Sequence, residues 1–215
     1  MRAFRLLSRR GLLLGLTMGA GARLTAAGGA RLFFSRNFPG SVPEYFEVSV
    51  DASGLVSYRE SPDEDPLEHM TSARTVGWLF ETADKLDRFK SPLQSSKKTA
   101  FTGDKVLRYE SDGGETSEAA FVYSELDEAQ ELVSWFLKLA ETEGHLIELE
   151  RVLRFDRLGV NKAIGALEGS YNRDRVVDPV RLLPILRKII GDKKVMHLAR
   201  SRAAALIERI EAGSG

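Results

Sequence analysis

Residues 46–59 read FEVSVDASGLVSYR, and this stretch decides the fold of the N-terminal half. Residues 46–50 alternate apolar and polar side chains, which is the period of a half-buried strand. Residues 51–54 are turn residues, and a second apolar run follows over 55–59. We therefore predict a β-hairpin in which Gly54 takes the positive φ.

The sequence after this hairpin continues the mixed pattern. One apolar face at helical spacing predicts a helix over about 74–89. Three further strands are predicted over 99–102, 105–109 and 119–123, separated by Gly and Asp turns. The resulting order is β-β-α-β-β-β, which indicates an antiparallel sheet with a helix on one face.

The pattern becomes helical after residue 124. Ser124 is predicted as an N-cap, Gly144 as a break, and Asp178-Pro179 as a further helix start. The predicted class is thus α+β, with a sheet domain over 31–124 and a helical region over 125–215. The helices either pack on the sheet or form a bundle of their own.

Residues 1–30 read as a secretory signal peptide. Four arginines with no acid precede a twelve-residue apolar stretch at 11–22, and small residues then offer cleavage after Ala27 or Ala30. A spanning helix needs about 20 apolar residues, so the stretch is short for a membrane anchor. The alternative is an uncleaved N-terminal anchor that tethers the protein to the membrane.

Residues 8–14, SRRGLLL, resemble a twin-arginine export signal. Arg23 fits the same interpretation, because such signals often carry a positive charge before the cleavage region. An ordinary positive n-region is the alternative for Arg9-Arg10, and we favour the twin-arginine route. The expected location is the periplasm or the outside of the cell.

Composition limits the possible functions. The apolar fraction of 43% and the charged fraction of 29% are ordinary for a globular chain. Beyond residue 30 there are 26 basic and 31 acidic side chains, which argues against a general nucleic-acid binder. The absence of cysteine excludes disulfides, thiolate zinc sites, iron–sulfur clusters and thiol nucleophiles.

Residues 38–45, FPGSVPEY, and the hairpin after them resemble the opening of a family of uncharacterised bacterial domains. That family pattern runs Cys-x-Gly-x-Cys-Pro-x-Tyr, followed by an apolar alternation, a Gly and a second Tyr. The matching positions are Gly40, Pro43, Tyr45, Gly54 and Tyr58. Phe38 and Val42 replace the two cysteines, so any disulfide or thiol role is lost. The resemblance implies a fold and no activity.

Glu141, His145 and Glu148 are spaced to share one helix face. A carboxylate–imidazole–carboxylate stripe could hold a divalent metal. The alternative, which we favour, is an exposed polar face, because no second His lies close in sequence.

Other charged or aromatic groups have structural interpretations that we favour. Residues 63–65, DED, are read as a solvated loop rather than a calcium site, since they lack its alternating ligands and central Gly. Arg151, Arg154, Asp156 and Arg157 are read as a solvated face rather than a partner site or a buried ion-pair network. Trp78 and Trp135 are expected in the core or an interface, and Lys193, Lys194, Arg200 and Arg202 make the C-terminus locally basic.

The sequence contains neither a Gly-x-Ser-x-Gly motif nor a Gly-rich phosphate loop. We therefore assign no catalytic, cofactor-binding or metal-ligating residue. The favoured hypothesis is an exported, non-enzymatic cell-envelope protein that binds a partner or a ligand. The alternatives are an envelope hydrolase, metal-assisted through Glu141, His145 and Glu148, and a structural module anchored by an uncleaved N-terminus.

Overall fold

A computed structural model describes residues 29–213. The predicted signal sequence lies outside these residues, except for its last two positions. Six strands form one antiparallel sheet in the order β4-β3-β2-β1-β5-β6. The strands are β1 Arg31–Asn37, β2 Tyr45–Asp51, β3 Leu55–Arg59, β4 Leu67–Met70, β5 Asp104–Glu110 and β6 Thr116–Phe121.

Five α-helices complete the described part of the chain. They are α1 Ala73–Lys85, α2 Asp127–Phe155, α3 Val160–Asn172, α4 Leu183–Gly191 and α5 His197–Gly213. Short 3-10 turns at Asp87–Phe89 and Pro179–Leu182 follow α1 and precede α4. None of the helices within residues 29–213 is both long and apolar enough to cross a bilayer.

The predicted hairpin is present as β2 and β3, with Val48 paired to Tyr58. Gly54 has a φ of 94°, as the turn requires. The Asp51 carboxylate closes this turn by accepting hydrogen bonds from the backbone N–H groups of Ser53 and Leu55, at 2.9 and 3.0 Å. The turn chemistry is local, which is why the sequence predicts it well.

The α+β class is confirmed, but the order of elements differs from β-β-α-β-β-β. Four strands precede α1 and two follow it, because β1 and β4 were not predicted. β1 contains consecutive phenylalanines and two arginines, so it lacks clear alternation, and β4 is a four-residue edge strand with mostly exposed side chains. Residues 99–102 are not a strand, and they form part of the loop that leads to Gly103.

The predicted helix cap at Ser124 and the predicted break at Gly144 are not found. α2 runs without a break through Gly144, and it begins after Leu126, with no side-chain cap. Ser124 instead accepts a hydrogen bond from the backbone of Leu126 at 3.3 Å. The predicted start at Asp178-Pro179 is present as the 3-10 turn Pro179–Leu182, which leads into α4. The Asp178 side chain does not cap that turn, because it accepts a hydrogen bond from Thr71 Oγ1 at 2.8 Å and ties the helical half to the sheet.

The buried side chains form two clusters that share α2. The first joins the covered face of the sheet to α1 and to α2 as far as Ala140, and Phe34 stacks on Phe136 with ring centroids 4.9 Å apart. The second contains Leu149 and Val152 of α2 together with side chains of α3, α4 and α5. The first half of α2 is thus part of the sheet's core, and the division at 124/125 stays a prediction.

Candidate functional site

A cleft lies between the β5–β6 part of the sheet and the first half of α2, with a volume of about 490 Å³. We call it the β5–α2 cleft. Phe121 and Val122 line it from the sheet side, and Val133 and Leu137 line it from the helix. Clefts of about 300–1,000 Å³ with mainly apolar walls are typical of small-molecule sites.

Two cations stand side by side at one end of this cleft because of the strand register. In β1, Leu32 and Phe34 are buried on the helix-covered face, and Arg36 continues that alternation. In β5, Lys105 occupies the same face as Leu107 and Tyr109. The antiparallel pairing sets Arg36 directly opposite Lys105. Like charges in this position repel each other and destabilise the sheet.

Neighbouring carbonyl oxygens and one hydroxyl oxygen hold the Lys105 ammonium in place. Nζ donates hydrogen bonds to Val122 O at 2.7 Å, to Gly103 O at 3.0 Å, and to Thr102 Oγ1 at 2.9 Å. The backbone at residue 103 can lie this close to Phe38 because residue 103 is glycine. Its φ is 93°, and a Cβ there would lie 2.8 Å from Cβ of Phe38.

Burial, followed by repulsion from Arg36, lowers the pKa of Lys105 to about 8. The Arg36 guanidinium lies over the rings of Phe46 and Phe38, with its Cζ 5.3 and 5.7 Å from their centroids. One Nη donates to Ser41 Oγ at 3.3 Å, but the buried Nε has no hydrogen-bond partner. Burial also lowers the pKa of Arg36.

Acidic groups compensate the charge of this pair only weakly. The charge of Asp104 raises the pKa of Lys105, but by less than burial and Arg36 lower it. Among the ion pairs of residues 29–213, none involves Arg36 or Lys105. Two other cations of the cleft, Lys138 and Arg175, are already paired with Asp174 and Glu141, at 2.8 and 2.7 Å. Buried charges are normally paired. The cleft therefore offers an anion two weakly compensated cations beside an apolar wall.

The predicted metal stripe is only partly assembled. Glu141 and His145 both contact Ser170, whose hydroxyl donates to Glu141 at 2.6 Å and lies 3.0 Å from His145 Nε2. Glu148 points to another partner, Arg151, at 2.7 Å. Across residues 29–213, no three His, Asp or Glu side chains come together in an arrangement that could hold a metal ion.

The other groups singled out in the sequence lie apart from the cleft. Asp63, Glu64 and Asp65 are exposed in the β3–β4 loop. In the arginine cluster, Arg157 pairs with Asp192 at 3.0 Å, and Arg154 lies over Phe155, with its Cζ 4.9 Å from the ring centroid. The Asp156 carboxylate accepts a hydrogen bond from the backbone N–H of Gly159 at 3.1 Å. Trp78 and Trp135 pack against the first cluster as partly buried side chains.

A second buried polar group lies where β4 meets α2. Glu143 is 1% exposed and pairs with Arg181, and His69 Nδ1 lies 3.7 Å from its carboxylate. Both ring nitrogens of His69 are buried without a hydrogen-bond partner. Burial, followed by the charge of Arg181, lowers the pKa of His69 to about 4. The imidazole is therefore neutral near pH 7.

Arg36 and Lys105 were not among the candidate residues of the sequence. In the structure each cation continues the buried alternation of its strand, but consecutive apolar residues such as Phe33 and Phe34 obscure that signal in the sequence. Reading that signal requires β1 to be recognised as a strand.

Comparisons with known proteins add no family assignment. No protein-family model matches the chain. No curated protein matches it either.

Proposed function

We propose that the chain is an exported, non-enzymatic protein of the cell envelope that binds an amphipathic anion in the β5–α2 cleft. The carboxylate or phosphate head would lie against Arg36 and Lys105. The apolar part would lie along Val133 and Leu137. Export rests on the pattern of residues 1–30, and the ligand class rests on the cleft.

One observation carries the ligand class: two adjacent cations on the covered face of the sheet form no ion pair within residues 29–213. Arg36 also retains an unused buried donor at Nε. A bound anion would remove the repulsion between the two cations and satisfy that donor. A hydrogen bond to a charged group stabilises by about 1.5–3 kcal/mol, so the free donor of Arg36 should contribute about ten- to a hundredfold to the affinity. The donors of Lys105 already bond to the chain, so Lys105 would act on the anion through its charge.

The test is calorimetric titration with three probes of equal chain length: dodecanoate, dodecyl phosphate and dodecanol. We expect the two anions to bind at least ten times more tightly than the alcohol. Arg36→Met and Lys105→Met should each weaken binding of the anions and leave binding of dodecanol unchanged. Lys138→Met is the matched control, because this cleft cation already pairs with Asp174.

Equal affinity for dodecanol and dodecanoate, or no binding of either anion, would refute the ligand class. Comparison of the wild-type affinities keeps the test valid if Arg36→Met does not fold. The mass of protein recovered from its host's envelope fraction tests export separately. A chain that begins at Gly28 or Arg31 supports cleavage, and an intact Met1 supports the anchored alternative.

Turnover of a model ester or phosphoester would favour the hydrolase alternative. If His145→Ala loses both that turnover and stoichiometric metal, the hydrolase activity is assigned to Glu141 and His145. Retention of both in that variant would remove these residues from consideration.

A further inference from the structure

The α2–α3 turn and the α4–α5 loop are joined at one end of the helical half. Arg157 of the turn donates to Asp192 of the loop, with Nε and Oδ2 3.0 Å apart. We call residues 151–162 and 187–198 the basic tip. This surface is separate from the β5–α2 cleft, whose α2 residues lie between Ala129 and Lys138.

The basic tip exposes large apolar side chains. Phe155 is 73% exposed and Leu158 is 79% exposed, and both lie where α2 turns into α3. Met196 and Leu198 of the α4–α5 loop and the start of α5 are also exposed. Exposure of such large apolar side chains to water is unfavourable. A binding partner that covers them is therefore stabilised by their removal from water.

The same surface carries an excess of positive charge over its own acids, although Glu148 and Glu211 at its border pair with Arg151 and Arg187. Its two segments contain eight Arg and Lys residues and two Asp residues, although residues 29–213 as a whole have 26 basic and 31 acidic side chains. Both acids are engaged, Asp156 by the backbone of Gly159 and Asp192 by Arg157. The cations that make no ion pair within the described residues are Arg154, Lys162, Lys188, Lys193 and Lys194.

We propose that the basic tip docks on a bilayer surface rich in anionic lipid, with Phe155 and Leu158 inserted at the boundary of the headgroups and acyl chains. The complementarity is of two kinds. Lipid phosphates can neutralise the unpaired Lys and Arg, and the acyl boundary can accept the exposed Phe and Leu. After Val42, Leu158 and Phe155 are the most exposed large apolar side chains of residues 29–213, and this exposure leaves them free to enter the interface of a bilayer.

The experiment is co-sedimentation of the exported protein with vesicles of phosphatidylglycerol and phosphatidylcholine in equal parts, and with phosphatidylcholine alone. We expect binding to the anionic vesicles that falls as salt rises, because surface charge attraction is screened. Phe155→Ser/Leu158→Ser should lower binding at least tenfold. Lys193→Gln/Lys194→Gln should lower it about fivefold per charge, since each cation near the surface contributes about 1 kcal/mol.

Matched controls use exposed residues of the sheet half. Met70→Ser removes an exposed apolar side chain of β4, and Lys90→Gln/Lys98→Gln removes two exposed lysines. Neither should change sedimentation. All variants carry the same N-terminus, so its contribution cancels. Unchanged binding in both tip variants, or equal binding to neutral vesicles, would overturn the proposal.

A second measurement locates the contact. Phe155→Trp places a fluorophore at the tip, whereas the native Trp78 and Trp135 lie against the sheet's core. Lipids brominated on their acyl chains should quench this added fluorescence and leave the wild-type emission unchanged. Quenching in neither protein would refute insertion. A different outcome is that the wild type binds a soluble acidic protein and no vesicles. If the tip variants then lose that protein, the surface belongs to a protein partner.

Discussion

We predict that His69 makes the protein acid-sensitive, and that His69→Leu removes this sensitivity. The imidazole projects from β4 at the position paired with the buried Val56, and its side chain is 10% exposed. Both ring nitrogens lack partners, so the neutral ring is held as an apolar group. A proton on His69 would have to be accommodated next to Arg181, whose charge already pairs with Glu143.

The magnitude follows from the two pKa values of the ring. The pKa of His69 is about 4 in the folded protein and 6.5 in the unfolded chain. Between these values the unfolded chain binds more protons, so stability falls as the pH falls. The contribution is complete above pH 6.5 and declines toward pH 4. At pH 4 the loss is about 3 kcal/mol, because each pKa unit corresponds to about 1.4 kcal/mol.

The assay is urea unfolding of the wild type and His69→Leu at several pH values between 7 and 4. We compare the difference in free energy of unfolding between the variant and the wild type at each pH. This difference should be about 3 kcal/mol larger at pH 4 than at pH 7. His197→Leu, at an exposed position of α5, is the matched control and should leave the pH dependence unchanged. Parallel curves for wild type and His69→Leu would refute this reasoning. So would a His69 resonance that titrates near pH 6.5 in the folded protein.

Three further predictions test the cleft and the shared core. Gly103→Ala should destabilise the protein by more than about 2 kcal/mol in urea unfolding, because of its positive φ and the 2.8 Å approach of a new Cβ to Phe38, whereas Gly113→Ala should be nearly neutral. Phe136→Ala should cost about 3–5 kcal/mol in the same assay, since its ring is fully buried, and a loss under 1 kcal/mol would contradict the packing. The affinity for dodecanoate should fall as the pH rises through about 8, where Lys105 loses its charge, and Lys105→Met should bind with no such step.

Local chemistry explains which parts of the fold could be predicted from the sequence. Residues close together in the sequence determine the β2–β3 hairpin, so it could be predicted. The change from strands to helices after residue 124 could be predicted for the same reason. Gly144 was predicted to interrupt a helix, yet α2 continues through it, because packing on both sides outweighs the intrinsic cost of one glycine. Elements that depend on distant partners, such as the short edge strand β4, were missed.

The candidate site depends on distant partners to a greater degree. Arg36 and Lys105 are far apart in the chain, and they become neighbours only through the register of β1 against β5. The proximity of His69 to Glu143 likewise needs β4 to lie against α2. In contrast, Glu141 and His145 are close in sequence, so their shared helix face was predicted, while the partner Ser170 was not.

The place of α2 in both clusters has a consequence for the growing chain. The sheet is complete in sequence at Phe121, and α1 has been made by then, but the part of the apolar face that α2 covers stays exposed until that helix has been made as far as Ala140. At about 5–20 residues per second, translation needs roughly 1–4 s to supply those residues. During that interval Phe34 and its neighbours are available to chaperones or to other nascent chains. A stalled or truncated product that ends soon after β6 should therefore aggregate, whereas one that extends beyond Ala140 can bury the sheet.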